Sequence, residues 1–539
     1  MSLGVLRLRD PAAKWTILSV TVIVFLTAAV RVPLLGVPFE RDEGEYAYIA
    51  WRLGHHELPY RDWIDQKPPG IFWIYRLALQ LPLDPIYSIH CMGLLFSATS
   101  AGALFFLARR FMSRPWAAGA AALFAILSAD PLVQGTAANT ELFMLLPLIL
   151  SQLAFLSAAA NDQRRILLLI LAGALTGIAV AFKQVAAINW LFQLVLWPIM
   201  VAGEKRLRTT LSFAGWSAAG AGVVWGSIAI YFFLRQGLGD LVDNVFTHNL
   251  EYLHTIPWRV RLRFCMNTLA ILARTQALVW ILSAAGLIAM CLTGRMKCLL
   301  FLAGWMVTSM VGVGASGYFF PHYFQQLLPA LSLMAALGAE ALYGAHFLKR
   351  NPVWSRAAIV STLSVIMPVV VIYPFLFTYT PAEAVKRIYP DNFFAEMPAL
   401  GRRIARVTGP DDRVFIFGAE AELLFYAQRV SATRYIFLFP LYGPYRNARE
   451  RQMAATREIS LNRPAAAVWF PNQLFFLPGS EQFFTGWTQS YLKENFQIDA
   501  YFTANQNGTA DIIPSTGHQD QPVPDGQAVI GATFVRKNR

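Results

Sequence analysis

The chain has 539 residues, of which 56% are hydrophobic and only 14% charged, and its formal net charge is +13. Soluble chains carry nearer to about a quarter charged residues, so the composition excludes a string of soluble domains despite the length. The positive excess would raise nucleic acid as a partner of a soluble protein, but much of it lies in loops that alternate between apolar runs. That pattern orients a membrane protein, and nucleic-acid binding is set aside.

Arg7, Arg9 and Lys14 precede the first apolar run. No small-residue cleavage site follows it and many further runs do, so it reads as an uncleaved first helix. Apolar runs near 20 residues recur to position 377 and predict about eleven transmembrane helices. They fall at 15–32, 86–108, 115–130, 141–160, 166–183, 185–202, 211–234, 268–292, 298–316, 325–347 and 357–377. Almost nothing separates the fifth from the sixth. The loops 109–114 and 203–208, Arg164 with Arg165, Arg295 with Lys297, and Lys349, Arg350 and Arg356 then share one side with the N-terminus. The positive-inside bias makes that side the cytoplasm. An odd number of spans places residues 378–539 outside, with the segments 33–85, 131–140, 235–267 and 317–324.

The first outer loop holds Glu40, Asp42, Glu43 and Glu45 within six residues. Asp42 stands three residues before Glu45, and Tyr46, Ile49, Ala50 and Leu53 follow at helical spacing. This predicts a capping box at Asp42, an amphipathic surface helix, and a stop at Gly54. A rigidly held capping carboxylate at the membrane boundary is also compatible with chemistry there. The same loop continues Asp65, Gln66, Lys67, Pro68, Pro69 and Gly70. The proline after Lys67 keeps that lysine out of a helix, and Pro69 suits a first helical position. Lys67 is a point charge suited either to a phosphate or to anionic lipid head groups.

Further along, Glu141 opens the fourth span, where a carboxylate also suits the helix dipole. Lys183 ends the fifth span on the outer side, against the charge bias, as a binding cation or a snorkelling lysine. His322 and Tyr323 begin the tenth span, at a depth where tyrosine is ordinary. His248, Glu251 and His254 share one outer segment and offer a divalent ion ligands, but their spacing of three and six is no specific metal signature. The four cysteines, Cys91, Cys265, Cys291 and Cys298, form neither a disulfide framework nor a zinc pattern.

From Thr380 the chain predicts a small α/β domain. Strands are expected at 413–417, 465–469, 497–503 and 529–536, and helices near 420–428 and 481–492, in a mixed or parallel sheet. The sequon at Asn507 carries no weight. The expected division is a transmembrane domain over 1–377, with the outer loop 33–85 as its catalytic part, and an outer α/β domain over 378–539.

Asp42, Glu43, Lys67, Glu141, Lys183, His322 and Tyr323 all face the outer side in this topology. Carboxylates, cations and aromatics at one lipid–water boundary suit chemistry on a lipid phosphate. The segments RDEGEY (41–46), QKPPG (66–70) and FPHYFQQLLP (320–329), and the tail from Arg413 to Tyr435, resemble polytopic glycosyltransferases of the GT-C fold. The resemblance is to the bacterial branch similar to protein O-mannosyltransferases and the lipid A aminoarabinose transferase. It implies a multi-pass bacterial inner-membrane enzyme with a cytoplasmic N-terminus and a periplasmic C-terminal domain. It implies a sugar donor on a polyprenyl phosphate and an envelope acceptor: lipid A, a polysaccharide, another glycolipid or a protein. Asp42 matches the acidic position near the reacting centre, with Glu43 beside it. Lys67 matches the lysine at the donor phosphate, Lys183 and Tyr323 match positions lining the lipid-phosphate cavity, and Glu141 matches an acid in the second outer loop. Gln66 stands where the aminoarabinose transferase has an acid, which weakens any transfer of metal ligands and leaves the donor sugar open. The rival readings are a flippase for a lipid-linked sugar and a non-catalytic envelope assembly protein. A flippase would keep its charges at the midplane and show repeated halves.

Overall fold

The computed structural model describes residues 11–201, 206–253, 255–344, 354–390, 392–471, 480, 482–505, 508–515 and 527–537. It divides into two compact units. One comprises residues 1–36, 89–231 and 256–379; the other comprises residues 37–88, 232–255 and 380–539.

The first unit is helical. Eight helices among the described residues are long and apolar enough to cross a membrane: Ala13–Leu34, Pro85–Ala108, Thr140–Ala160, Arg165–Phe182, Arg206–Leu234, Trp258–Leu292, Met296–Gly314 and Pro321–Gly344. The helices Arg114–Ser128, Ala187–Met200 and Trp354–Phe377 coincide with the three remaining expected spans. At the junction of the fifth and sixth spans, Lys183 adopts an extended conformation and a single 3-10 turn, Gln184–Ala186, restarts the chain as a helix. The helix expected from 268 starts at Trp258. Arg259, Arg261 and Arg263 hide this first stretch from a hydropathy reading, because ten helical residues add roughly 15 Å beyond the apolar part.

Close backbone approach holds these helices together, since lipid tails supply no hydrophobic drive between them. A Cβ at Gly338 would lie 2.0 Å from the Leu282 carbonyl oxygen, and one at Gly286 would lie 2.1 Å from that of Met334. Ser283 Oγ donates to Leu331 O across the same seam at 3.0 Å. Gly338→Val is therefore expected to lower stability by about 1–3 kcal/mol, the usual cost of overpacking, read as a lower unfolding midpoint in detergent.

The second unit carries a six-stranded sheet. Its strands are β1 (Arg413–Phe417), β2 (Val430–Ser431), β3 (Ala466–Trp469), β4 (Phe496–Ala504), β5 (Ala510–Pro514) and β6 (Ala528–Arg536), in the order β2-β1-β3-β6-β4-β5. The β2, β1 and β3 pairings are parallel and the rest antiparallel, which makes the sheet mixed. The four predicted strands are present. The sequence reading missed β2, which has only two residues, and β5, which pairs with the long strand β4.

Residues 39–64 pack on the tail within this unit. The Phe39 amide donates to Tyr426 Oη (3.0 Å), the Ser431 amide to Tyr48 Oη (2.9 Å) and the Ile64 amide to Arg434 O (2.9 Å). Helix Arg41–Leu53 meets helix Glu422–Ala427 so closely that a Cβ at Gly44 would lie 2.1 Å from the Glu422 Cβ. Only glycine allows this approach.

Candidate functional site

The helix carrying the acidic cluster begins at Arg41, one residue before the expected cap. Its N-cap is Glu40, and the capping box joins Glu40 to Glu43: the Glu43 amide donates to Glu40 Oε1 (3.2 Å) and the Glu40 amide to Glu43 Oε2 (3.3 Å). Aspartate is the better intrinsic cap, so local preference favours Asp42. Anchoring of Phe39 by Tyr426 and of Arg41 by Glu420 (3.5 Å) starts the helix earlier. Asp42 is thereby released from capping and stands on the first turn, while Glu43 is 2% exposed and bound into the cap. The helix ends at Leu53 with Gly54 as its cap, as predicted.

Asp42 meets Lys67. The Lys67 ammonium lies 3.7 Å from Asp42 Oδ1 and 3.9 Å from Asp65 Oδ1, and 5.2 Å from the centre of the Tyr46 ring. Tyr46 Oη donates to Asp42 Oδ2 at 3.3 Å. The main chain of Lys67 is fixed on both sides of its proline. Its amide donates to Asp65 Oδ1 (2.8 Å), Tyr60 Oη donates to its carbonyl (2.6 Å), and Asn249 Nδ2 donates to the Gln66 carbonyl (2.9 Å). The following helix, Gly70–Ala78, has Pro69 as its N-cap, one position from the prediction. Burial pushes the Glu40, Glu45 and Asp65 carboxyls up. For Glu40 the charges of Asp42 and Glu43 add to burial, and for Glu45 the charge of Asp65 does. Asp42 and Lys67 are partly open to solvent, at 29% and 20% of their side chains. The arrangement is chemically a carboxylate able to accept a proton beside a cation able to hold an anion, both on fixed backbone.

The first unit gathers the other candidates. Glu141, 1% exposed on the first turn of its helix, is ion-paired with Lys183. The Lys183 ammonium sits 3.8 Å from the centre of the Tyr323 ring. The rings of His322 and Tyr323 are 4.8 Å apart, and His322 Nδ1 donates to Gln134 Oε1 at 2.7 Å. Gln134 takes a left-handed conformation (φ 53°) and follows Asp130, whose carboxylate receives the Thr275 hydroxyl at 2.5 Å.

Among the described residues no group of three or more His, Cys, Asp or Glu is placed to hold a metal ion. His254 lies outside the described residues. His248 instead accepts a hydrogen bond from the Arg451 guanidinium (Nδ1 to Nη1, 3.0 Å) and packs on Tyr445 (4.6 Å between rings). Burial, and then the Arg451 charge, push its pKa down to about 3. The unfolded chain binds that proton below about 6.5 and the fold does not, so stability is lost as pH falls from about 6.5 toward 3. His248→Asn is expected to flatten the fall in unfolding midpoint between about pH 7 and pH 5, measured against the wild type.

Several residues of the site escape a reading of the sequence. Glu45 appeared only as the end of a capping box and Asp65 only as the start of a motif. The spacing of Asp65 and Lys67 did hold a signal, because an aspartate two residues before an amide commonly accepts its hydrogen bond. Asn249 and Gln134 reach their partners through tertiary structure and leave no local trace, whereas Tyr46 meets Asp42 one turn back on its own helix and Tyr60 meets Lys67 within the same loop.

The fold is that of GT-C proteins, in a chain with eight helices, among the described residues, long and apolar enough to cross a membrane. Residues 66–226 match the family model described as dolichyl-phosphate-mannose-protein mannosyltransferase. The structure is similar to that of ArnT from Cupriavidus metallidurans bound to undecaprenyl phosphate, with TM-score 0.58 and 15% identity, covering 95% of this chain and 100% of that one. It is also similar to the oligosaccharyltransferase AglB from Archaeoglobus fulgidus in complex with an inhibitory peptide and a dolichol-phosphate. There the TM-score is 0.51 and the identity 11%, covering 96% of this chain and 75% of that one. No curated protein matches the chain by sequence.

Proposed function

We propose that the chain transfers a sugar from a polyprenyl-phosphate carrier to an acceptor of the cell envelope, on the periplasmic side and with inversion. The observation that carries this reading is the pairing of Asp42 with Lys67 at 3.7 Å on a chain with the GT-C fold. The donor's leaving group is a phosphate monoester with a second pKa near about 6, so it needs charge stabilisation more than protonation. Lys67 supplies that charge in a site partly shielded from water, where it counts for more. The acceptor hydroxyl or amine attacks the anomeric carbon as its proton passes to Asp42. The bond from that carbon to the phosphate oxygen breaks, its electron pair leaves with the phosphate, and direct displacement inverts the centre. One base and a cation suffice, unlike the two carboxyl groups of glycoside hydrolases.

Glu43 supports the helix turn that presents Asp42. Lys183, backed by Glu141 and Tyr323, recognises the carrier, and His322 orients Tyr323. Residues 1–377 serve as the transmembrane transferase domain and 378–539 as the periplasmic one. Acceptors consistent with this reading are lipid A or its core, a polysaccharide, another glycolipid or a protein. No step needs a metal ion.

The reading is tested with the purified chain in nanodiscs, supplied with polyprenyl-phosphate sugars and an envelope lipid and protein extract. The expected result is acceptor-dependent release of polyprenyl phosphate, with an inverted anomeric linkage in the product. Failure of every donor to release its carrier would overturn it. Orientation is tested separately with His55→Cys in intact cells. A membrane-impermeant maleimide should label it, and labelling only after lysis would place the loop in the cytosol.

A further inference from the structure

We propose that Gln134 is a positioning residue: held in a clamped turn, it fixes the buried His322 ring with its proton on Nδ1, so that Nε2 carries the lone pair. The inference deepens the proposed function and rests on it for one step only, the group that this lone pair serves.

The φ of 53° at Gln134 is left-handed, a conformation that a residue with a Cβ adopts at a cost. Such strain persists only where the surroundings over-determine it. Here several anchors do. Asp130 Oδ1 accepts the Leu132 amide (2.9 Å) and Oδ2 the Thr275 hydroxyl (2.5 Å). The Asp130 carbonyl accepts the amides of Val133 (3.1 Å) and Gly135 (3.0 Å). Arg31 ties the two ends of the turn, donating to Ser128 O at 2.6 Å and to Gly135 O at 2.8 Å. Val133, next to Gln134, is buried with Leu272, Val313 and Phe324. Phe324 stands two residues after His322, so one apolar cluster anchors both partners of the Gln134–His322 contact.

That contact has a chemical consequence. An amide oxygen only accepts, so the 2.7 Å bond to Gln134 Oε1 puts a proton on His322 Nδ1. The ring is 8% exposed and stacks on Phe320, with 5.8 Å between ring centres and 10° between planes. A carboxylate in place of the amide would favour the doubly protonated, charged ring; the neutral amide does not. The carboxylate of the same site, Glu141, is already paired with Lys183. The ring is therefore neutral, and Nε2 holds a lone pair. A lone pair accepts a hydrogen bond from a hydroxyl and repels a phosphate oxygen. On the proposed function, His322 then serves a hydroxyl of the donor sugar and leaves the carrier phosphate to Lys183.

The test uses the full chain in nanodiscs, with nitrogen-15 in its histidines, as wild type, Gln134→Gly and Gln134→Glu. Nitrogen shifts in solid-state NMR separate the two neutral tautomers from the charged ring, and the His322 signals are those missing from His322→Phe. The wild type should show a neutral ring with its proton on Nδ1. Glycine accepts φ 53° without strain and removes the acceptor. Gln134→Gly should therefore keep the unfolding midpoint, move His322 toward the Nε2–H tautomer, and raise the donor KM about three- to tenfold, as for one lost hydrogen bond. Gln134→Glu should charge the ring and raise KM as well. A structural role alone would lower the midpoint of Gln134→Gly and leave ring and KM unchanged. A wild-type ring protonated on Nε2 would overturn the proposal, as would a folded Gln134→Gly with an unchanged ring. A charged ring in Gln134→Glu with wild-type KM would overturn the role of the lone pair. A wild type with the expected ring, altered by Gln134→Gly, that turns over no donor would overturn the proposed function and leave the positioning of His322 by Gln134 standing.

Discussion

Asp42→Asn is expected to lower turnover by about 10²- to 10⁴-fold while polyprenyl phosphate still binds. The amide matches the carboxylate in shape and can still accept the Tyr46 hydroxyl, now 3.3 Å from Asp42 Oδ2. It cannot take a proton from the acceptor. Lys67 loses one of its two neighbouring carboxylates but keeps Asp65, which reaches both its amide and its ammonium. Binding and chemistry should therefore separate: steady-state kinetics would show the loss in kcat, and native mass spectrometry would show the lipid phosphate retained. Unchanged kcat in the variant would remove Asp42 as the base.

Lys67→Met is expected to act on binding and turnover together. Removing one preorganised group that stabilises developing charge typically costs about 10²- to 10³-fold in kcat. Here it also leaves Asp65, fully buried, without its cation. Lys67→Arg is the control, since it restores the charge on a larger fork. Recovery of lipid-phosphate binding without full recovery of kcat would place the requirement on charge first and geometry second. A Lys67→Met variant that binds polyprenyl phosphate as tightly as the wild type would contradict the assignment.

The membrane helices were legible because lipid imposes one requirement, about 20 apolar residues in a self-satisfied backbone, and the sequence repeats that pattern openly. Signals became ambiguous where tertiary contacts chose between local alternatives. Glu40 and Glu43 form one capping box, and Asp42 and Glu45 spell another. Capping preference points to the second, but the contacts of Phe39 with Tyr426 and of Arg41 with Glu420 select the first. That two-residue shift alters the reading of four carboxylates. Glu40 and Glu43 become structural, Asp42 turns to Lys67, and Glu45 is buried. Likewise the lone Lys183 was readable as a snorkelling side chain until Glu141, from another helix, appeared against it. Its apolar neighbourhood was visible in the sequence, but its partner, 42 residues away, was not. The small strand β2 was hidden for a simpler reason: two residues carry no periodicity.

The most direct test of the central claim is the mass-spectrometric inventory of lipid-linked sugars and envelope glycoconjugates in cells with the chain, without it, and with Asp42→Asn alone. The account predicts that one polyprenyl-phosphate sugar accumulates, and that one envelope conjugate loses that sugar, equally in the deletion and in the variant. An envelope conjugate that keeps the sugar in the Asp42→Asn cells but loses it in the deletion would show that the chain acts without this carboxylate, and would contradict the account.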